Sequence, residues 1–212
     1  MSLSYTAPLY SESALVTIDM QLDFLDGQPY GIPGTSTVAP VIGRLAEFYR
    51  TKQRPIIHVV RLYCEDGSNV DIARRQLIES GTELVRPGSM GSQLARHLLP
   101  DEGVVLDSEL LLRGEFQQIG DHEWVMYKSR WGAFYKTDLE LHLRRIGVST
   151  LVFAGCNFPN CPRTSVYQAS ERDFRVVLLE DAISGIYDKG RQELAGIGVH
   201  LVTTDQFLQE AA

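Results

Sequence analysis

The chain has 212 residues, 44% of them hydrophobic and 22% charged, which is ordinary for a globular protein and enough to bury one sizeable core. Its 20 basic against 27 acidic residues give a formal net charge of -7 with no long basic run, so neither a nucleic-acid surface nor an anionic-membrane surface is expected. The longest apolar stretches are strand-sized and the N-terminus lacks the charged-then-apolar pattern of a secretory signal, so the expected setting is the cytoplasm and the expected partner a small molecule.

The first β-branched run is Leu15 to Asp19. After Thr35-Ser36-Thr37, read as a cap, Val38, Val41, Ile42, Leu45 and Phe48 recur at helical spacing and predict a helix with one apolar stripe. A second strand run, Pro55 to Arg61, leads into residues 62–92, which lack a clean period and read as a surface excursion or a lid. Residues 107–122 read the same way, just before a third run at Trp124 to Lys128. Thr137 and Glu140 have capping-box spacing, Leu139, Leu143 and Ile146 share one side, and Gly147 supplies a stop, which predicts a helix. Further runs follow at Thr150 to Ala154, Arg175 to Glu180 and Val199 to Thr203. The alternation reads as a parallel sheet flanked by helices, and no internal repeat or linker divides residues 1–212, so one domain is expected.

In such sheets ligands bind beyond the carboxyl ends of the strands, so polar residues that end apolar runs are the first candidates. Asp19 and Lys128 end two of these runs, and the run ending at Gly155 opens a short loop that reaches Cys161. Taken singly, Asp19 fits a turn cap, Lys128 a solvated strand end and Cys161 a small buried hydrophobe; their convergence on one edge is what favours chemistry. Cys161 precedes Pro162, a residue suited to the first helical turn, so the thiol is predicted at a helix N-terminus. The dipole there and Lys128 would favour thiolate, and Asp19 would accept the proton. The N–H groups of Cys161 and of an earlier residue in the loop 155–160 would serve a developing oxyanion. Cys64, Cys156 and Cys161 make an odd count and are expected as free thiols.

These residues resemble the isochorismatase-like hydrolase superfamily, which includes nicotinamidases, N-carbamoylsarcosine amidohydrolases, ureidoacrylate amidohydrolases and isochorismatase. The resemblance runs through Asp19-Met20-Gln21 with Phe24, through Lys128 to Leu139, and through Gly155, Cys161, Ser165, Ala169, Arg175-Val176-Val177 and Asp181-Ala182. It implies a three-layer α/β/α fold with a six-stranded, mostly parallel, Rossmann-like sheet, and an Asp19, Lys128, Cys161 triad. It also implies an oxyanion hole from the N–H groups of Asn157 and Cys161, and a cis peptide between Cys156 and Asn157, with the bond before Pro159 as a competing candidate. Homo-oligomers, dimers or tetramers, are common in the superfamily and are expected here.

The Asp-x-His-x-x-His cluster of the nicotinamidase metal site has no counterpart in residues 61–69, and His58, His97, His122, His142 and His200 are scattered singly, so no metal and no cofactor are expected. By resemblance Phe24, Trp131, Phe134 and Tyr135 would line the substrate pocket, although Phe134 fits plain core packing equally well. Arg163 either meets a substrate carboxylate or forms a surface ion pair. The leading functional expectation is hydrolysis of a small amide, carbamoyl or ester group through a thioester on Cys161. Two alternatives stand beside it: vinyl-ether hydrolysis of the isochorismatase kind, and thiol redox or sensing chemistry using Cys156 and Cys161.

Overall fold

The structure, a computed structural model, describes residues 4–212. In chain order its elements are β1 (Ser13–Ile18), α1 (Thr35–Thr51), β2 (Ile56–Val60), α2 (Ile72–Glu79), α3 (Ser108–Leu112), β3 (Gln117–Gly120) and β4 (Glu123–Tyr127), followed by α4 (Leu139–Arg145), β5 (Thr150–Gly155), α5 (Cys161–Ser170), β6 (Arg175–Ile183), α6 (Asp188–Gly196), β7 (His200–Val202) and α7 (Thr204–Glu210). The six predicted runs are β1, β2, β4, β5, β6 and β7. β1, β2 and β5 are buried along their whole length, as strands covered on both faces must be.

The strands form one sheet in the order β3-β4-β2-β1-β5-β6-β7, parallel except for β3. The sheet therefore has seven strands where six were expected. The extra one, Gln-Gln-Ile-Gly, is a half-exposed edge strand paired antiparallel to β4 through a tight turn at Asp121-His122. It carries no alternation of apolar and polar residues, so its pattern does not stand out in the sequence.

Successive side chains of each strand enter opposite layers. Leu15, Ile56, Val152 and Val177 pack with Val38, Ile42 and Leu45 of α1 and Phe207 of α7. Val16, Ile57, Phe153 and Leu178 pack on the other face with Leu139 and Leu143 of α4, Val166 of α5 and Leu194 of α6. Two predicted caps differ from what forms. Gly34 is the N-cap of α1, so Thr35, Ser36 and Thr37 lie inside the helix, where Ser36 Oγ accepts the Asp26 N–H. Asp138 precedes α4 without a side-chain cap, because the Thr137 hydroxyl donates back to the Ala133 carbonyl.

Gly155 ends β5 at φ 127, and a Cβ there would lie 2.3 Å from the Ile18 carbonyl oxygen. Gly155→Ala forces both an unfavourable backbone conformation and a backbone clash between two central strands. A loss of roughly 2–5 kcal/mol is expected in urea unfolding; a loss below about 0.5 kcal/mol would contradict this packing.

Candidate active site

The order β4-β2-β1-β5 puts four parallel strand ends side by side, and the residues just past them are Lys128, Arg61, Asp19 and the loop that leads to Cys161. The first turn after each strand is held by its neighbour: Asp19 N–H donates to Val59 O (2.9 Å), Lys128 N–H to Val60 O (3.0 Å) and Cys156 N–H to Ile18 O (3.0 Å). Asp19 itself adopts φ 53, a conformation L-residues seldom take and one that clusters at functional sites.

Lys128 and β1 are two strand spacings apart, about 9.6 Å, and the long lysine side chain crosses that gap. Its Nζ donates to Asp19 Oδ2 at 2.8 Å, with the lysine side chain fully buried and the aspartate 6% exposed. Asp19 Oδ1 is buried and has no hydrogen-bond partner. Cys161 opens α5 with Pro162 behind it and lies close enough for the Asp19 carboxylate to act on its thiol both as a charge and as a hydrogen-bond acceptor.

Burial, first, and Asp19, second, push the Cys161 thiol above its ordinary value, while Lys128 and Arg61 pull the opposite way. The net direction is upward, where the helix terminus and Lys128 were expected to favour thiolate. The resting cysteine is therefore a neutral thiol beside an acceptor with a free lone pair.

The loop 155–160 is pinned by Phe158 N–H to Ser184 O (2.8 Å) and by Ser184 N–H to Gly155 O (3.0 Å). Neither the Asn157 N–H nor the Cys161 N–H donates to a backbone carbonyl. All peptide bonds among the described residues are trans, which corrects the expected cis bond at Asn157 and the competing one at Pro159. The loop turns instead through φ 127 at Gly155 and a three-residue turn closed by Asn160 N–H to Asn157 O at 3.1 Å.

A narrow cleft of about 340 Å³, solvent at its mouth included, opens above these groups. Of the expected site residues Asp19, Phe24, Trp131, Asn157 and Cys161 line it, with Lys128 beneath the floor. Phe134, Tyr135 and Arg163 do not line it. Ser165 Oγ and Gln168 Oε1 accept the Ala133 and Phe134 N–H groups, tying that segment to α5 and turning Phe134 into the core beside Phe174. Tyr135 points outward at 41% exposure, and Arg163 pairs with Glu193 and donates to Tyr187.

Sequence reasoning did not single out Arg61, Tyr63 or Arg74, which also line the cleft. Arg61 Nη2 lies 3.7 Å from Cys161 Sγ, and Nη1 pairs with Asp71 Oδ2 at 3.0 Å. The rule that picked Asp19 and Lys128, a polar residue ending an apolar run, applies equally to Arg61. Arg74 sits in the first turn of α2, where no pattern marks it. Among the described residues no cluster of three His, Cys, Asp or Glu is placed to hold a metal ion, and the guanidinium and phenol that follow β2 do not suit a divalent cation. Residues 107–122 contribute nothing to the cleft.

Residues 13–206 match the isochorismatase domain family. A probable inactive nicotinamidase of Arabidopsis thaliana is 29% identical over 97% of this chain and all of its own length. N-carbamoylsarcosine amidase of an Arthrobacter species is 28% identical over 74% of this chain, and the match spans 53% of that enzyme. Among solved structures, an isochorismatase family protein from Desulfovibrio vulgaris is 31% identical, covers 94% of this chain and 97% of its own, and superposes with a TM-score of 0.79.

Proposed function

Because the chain belongs to the isochorismatase family, we propose that it is a cysteine hydrolase that cleaves a small amide, carbamoyl or ester substrate through a thioester on Cys161. The observation that carries this reading is Asp19, held on one oxygen by Lys128 and unpartnered on the other, beside a thiol at a helix start. Asp19 takes the thiol proton as Cys161 Sγ attacks the carbonyl carbon. Arg61, 3.7 Å away, stabilises the sulfur's negative charge, and the Asn157 and Cys161 N–H groups receive the oxyanion. Asp19 then protonates the leaving nitrogen or oxygen, and the thioester forms. In the second half Asp19 takes a proton from water, the hydroxide equivalent attacks the thioester, and the thiol is regenerated as the acid departs.

A neutral resting thiol suits this scheme, since the proton that Asp19 accepts is the one the leaving group needs. Cys156 does not fit a redox partner: it is 1% exposed, burial and Asp19 push its thiol well up, and its Sγ donates to Asp19 O at 3.1 Å. Three free cysteines agree with the proposed cytoplasmic setting, and among the described residues no helix is long and apolar enough to cross a membrane. A dimer or tetramer remains part of the proposal, to be read by analytical ultracentrifugation.

The test is a panel of carboxamides, ureas and carbamates incubated with the purified chain before and after iodoacetamide. Turnover of at least one compound is expected, and it should disappear in step with alkylation of Cys161, ahead of Cys64 and Cys156. Activity that survives full alkylation of Cys161 would sink the reading. So would a chain inert to the whole panel whose Cys161 reacts no faster than the other two thiols.

A further inference from the structure

We infer that Arg74 is a carboxylate-binding residue of the cleft, so that the substrate is an amide, urea or carbamate bearing an anionic carboxylate away from its scissile carbonyl. This inference rests on the hydrolase reading above and adds the charge of the substrate to it.

The cations around the cleft are accounted for one by one. Lys128 is neutralised by Asp19 and Arg61 by Asp71. Arg130 donates to the carbonyls of Asn69 and Ser129, and Arg163 pairs with Glu193 outside the cleft. Arg74 is different: it is half-buried in the cleft wall, near enough to Tyr63 for its charge to act on that phenol, and among the described residues it makes no ion pair or hydrogen bond.

A guanidinium offers five N–H donors in a planar fork that matches a carboxylate, and holding them unpaired in a partly desolvated wall is unfavourable. With Cys161 protonated, Lys128, Arg61 and Arg74 face only Asp19 and Asp71, which leaves one positive charge over. The remaining wall is apolar or neutral, with Phe24, Ile32 and Trp131 prominent, and supplies no counter-ion. A substrate carboxylate satisfies both the unpaired donors and the charge. Arg61 is not available for that role, since its guanidinium is already shared among Asp71, the Ser129 carbonyl and Cys161 Sγ.

The experiment uses the native full-length chain and pairs of alkylating probes with the same electrophile. Iodoacetyl derivatives of glycine, β-alanine and 4-aminobutyrate are compared with neutral N-alkyl iodoacetamides of matching length. Each forms the S–C bond as iodide leaves, so only the remote carboxylate differs. Site-resolved mass spectrometry follows Cys161, with half-buried Cys64 as the internal reference. At Cys161 at least one anionic probe should react faster than its neutral match and saturate with concentration, whereas Cys64 should show no such preference. Arg74→Gln should lower the anionic-to-neutral rate ratio at Cys161 by roughly ten- to hundredfold, the size of one charge-assisted hydrogen bond, and Arg74→Lys should restore part of it. If Cys161 reacts readily with the neutral probes but shows no anionic preference, or if Arg74→Gln leaves the ratio unchanged, the carboxylate subsite is overturned while the hydrolase reading stands. If Cys161 is slower than Cys64 toward every probe, the nucleophile itself is refuted and the subsite falls with it.

Discussion

Cys161→Ala is expected to abolish turnover, by several orders of magnitude, while leaving the fold intact. The sulfur is the only group in the cleft positioned both at a helix start and against Asp19 and Arg61, so no neighbour replaces it. Cys156, the nearest other thiol in sequence, is fully buried with its Sγ turned to the Asp19 carbonyl. Alanine suits the first turn of α5, and the Sγ at stake is a half-exposed atom with one long contact, so the midpoint of thermal unfolding should move by only a few degrees. Near-normal turnover in this variant would shift the account to vinyl-ether hydrolysis, which needs no cysteine nucleophile. The naming of the Arabidopsis relative as probably inactive makes this comparison of wild type and variant the necessary control for any weak activity.

Asp19→Asn is expected to damage both activity and stability. Turnover should fall by about 10²–10⁴, the usual contribution of a positioned acid or base. Stability should fall by roughly 3–5 kcal/mol, because Lys128 Nζ, 2.8 Å from the carboxylate and with no side-chain exposure, is left without its counter-ion. The backbone is not the cause, since asparagine tolerates the positive φ at position 19. The two effects separate in the double variant Asp19→Asn, Lys128→Met. Replacing both members of a buried pair by uncharged groups is often neutral for folding, so urea unfolding should recover most of the loss while turnover stays low. A double variant that regained activity with its stability would mean that Asp19 acts only by anchoring Lys128.

Much of this arrangement is legible in the sequence because strands covered on both faces leave continuous apolar runs, and in a parallel sheet the residue ending each run lies at the ligand edge. Asp19 and Lys128 stand out for that reason, and Cys161 because Pro162 marks a helix start. What escaped has physical causes. In α2, Ile72 is 89% exposed and Ile78 is the one buried residue, so the helix shows no stripe, and Arg74 gives no signal. β3 is a polar edge strand. Phe134, Tyr135 and Arg163 are aimed by side-chain bonds from residues more than twenty positions away, which local pattern cannot report. The upward direction of the Cys161 thiol depends on burial, a tertiary quantity, and it outweighs the helix terminus that the sequence does reveal.

The central claim, that Asp19 and Lys128 serve a nucleophilic Cys161, is tested most directly by rapid quench of a turning-over reaction followed by intact-mass and peptide analysis. An added mass equal to the acyl part of the substrate, located on Cys161 and absent from Cys161→Ala, is the predicted result. Turnover without any adduct on Cys161 at times shorter than one catalytic cycle, retained by Cys161→Ala, would contradict it.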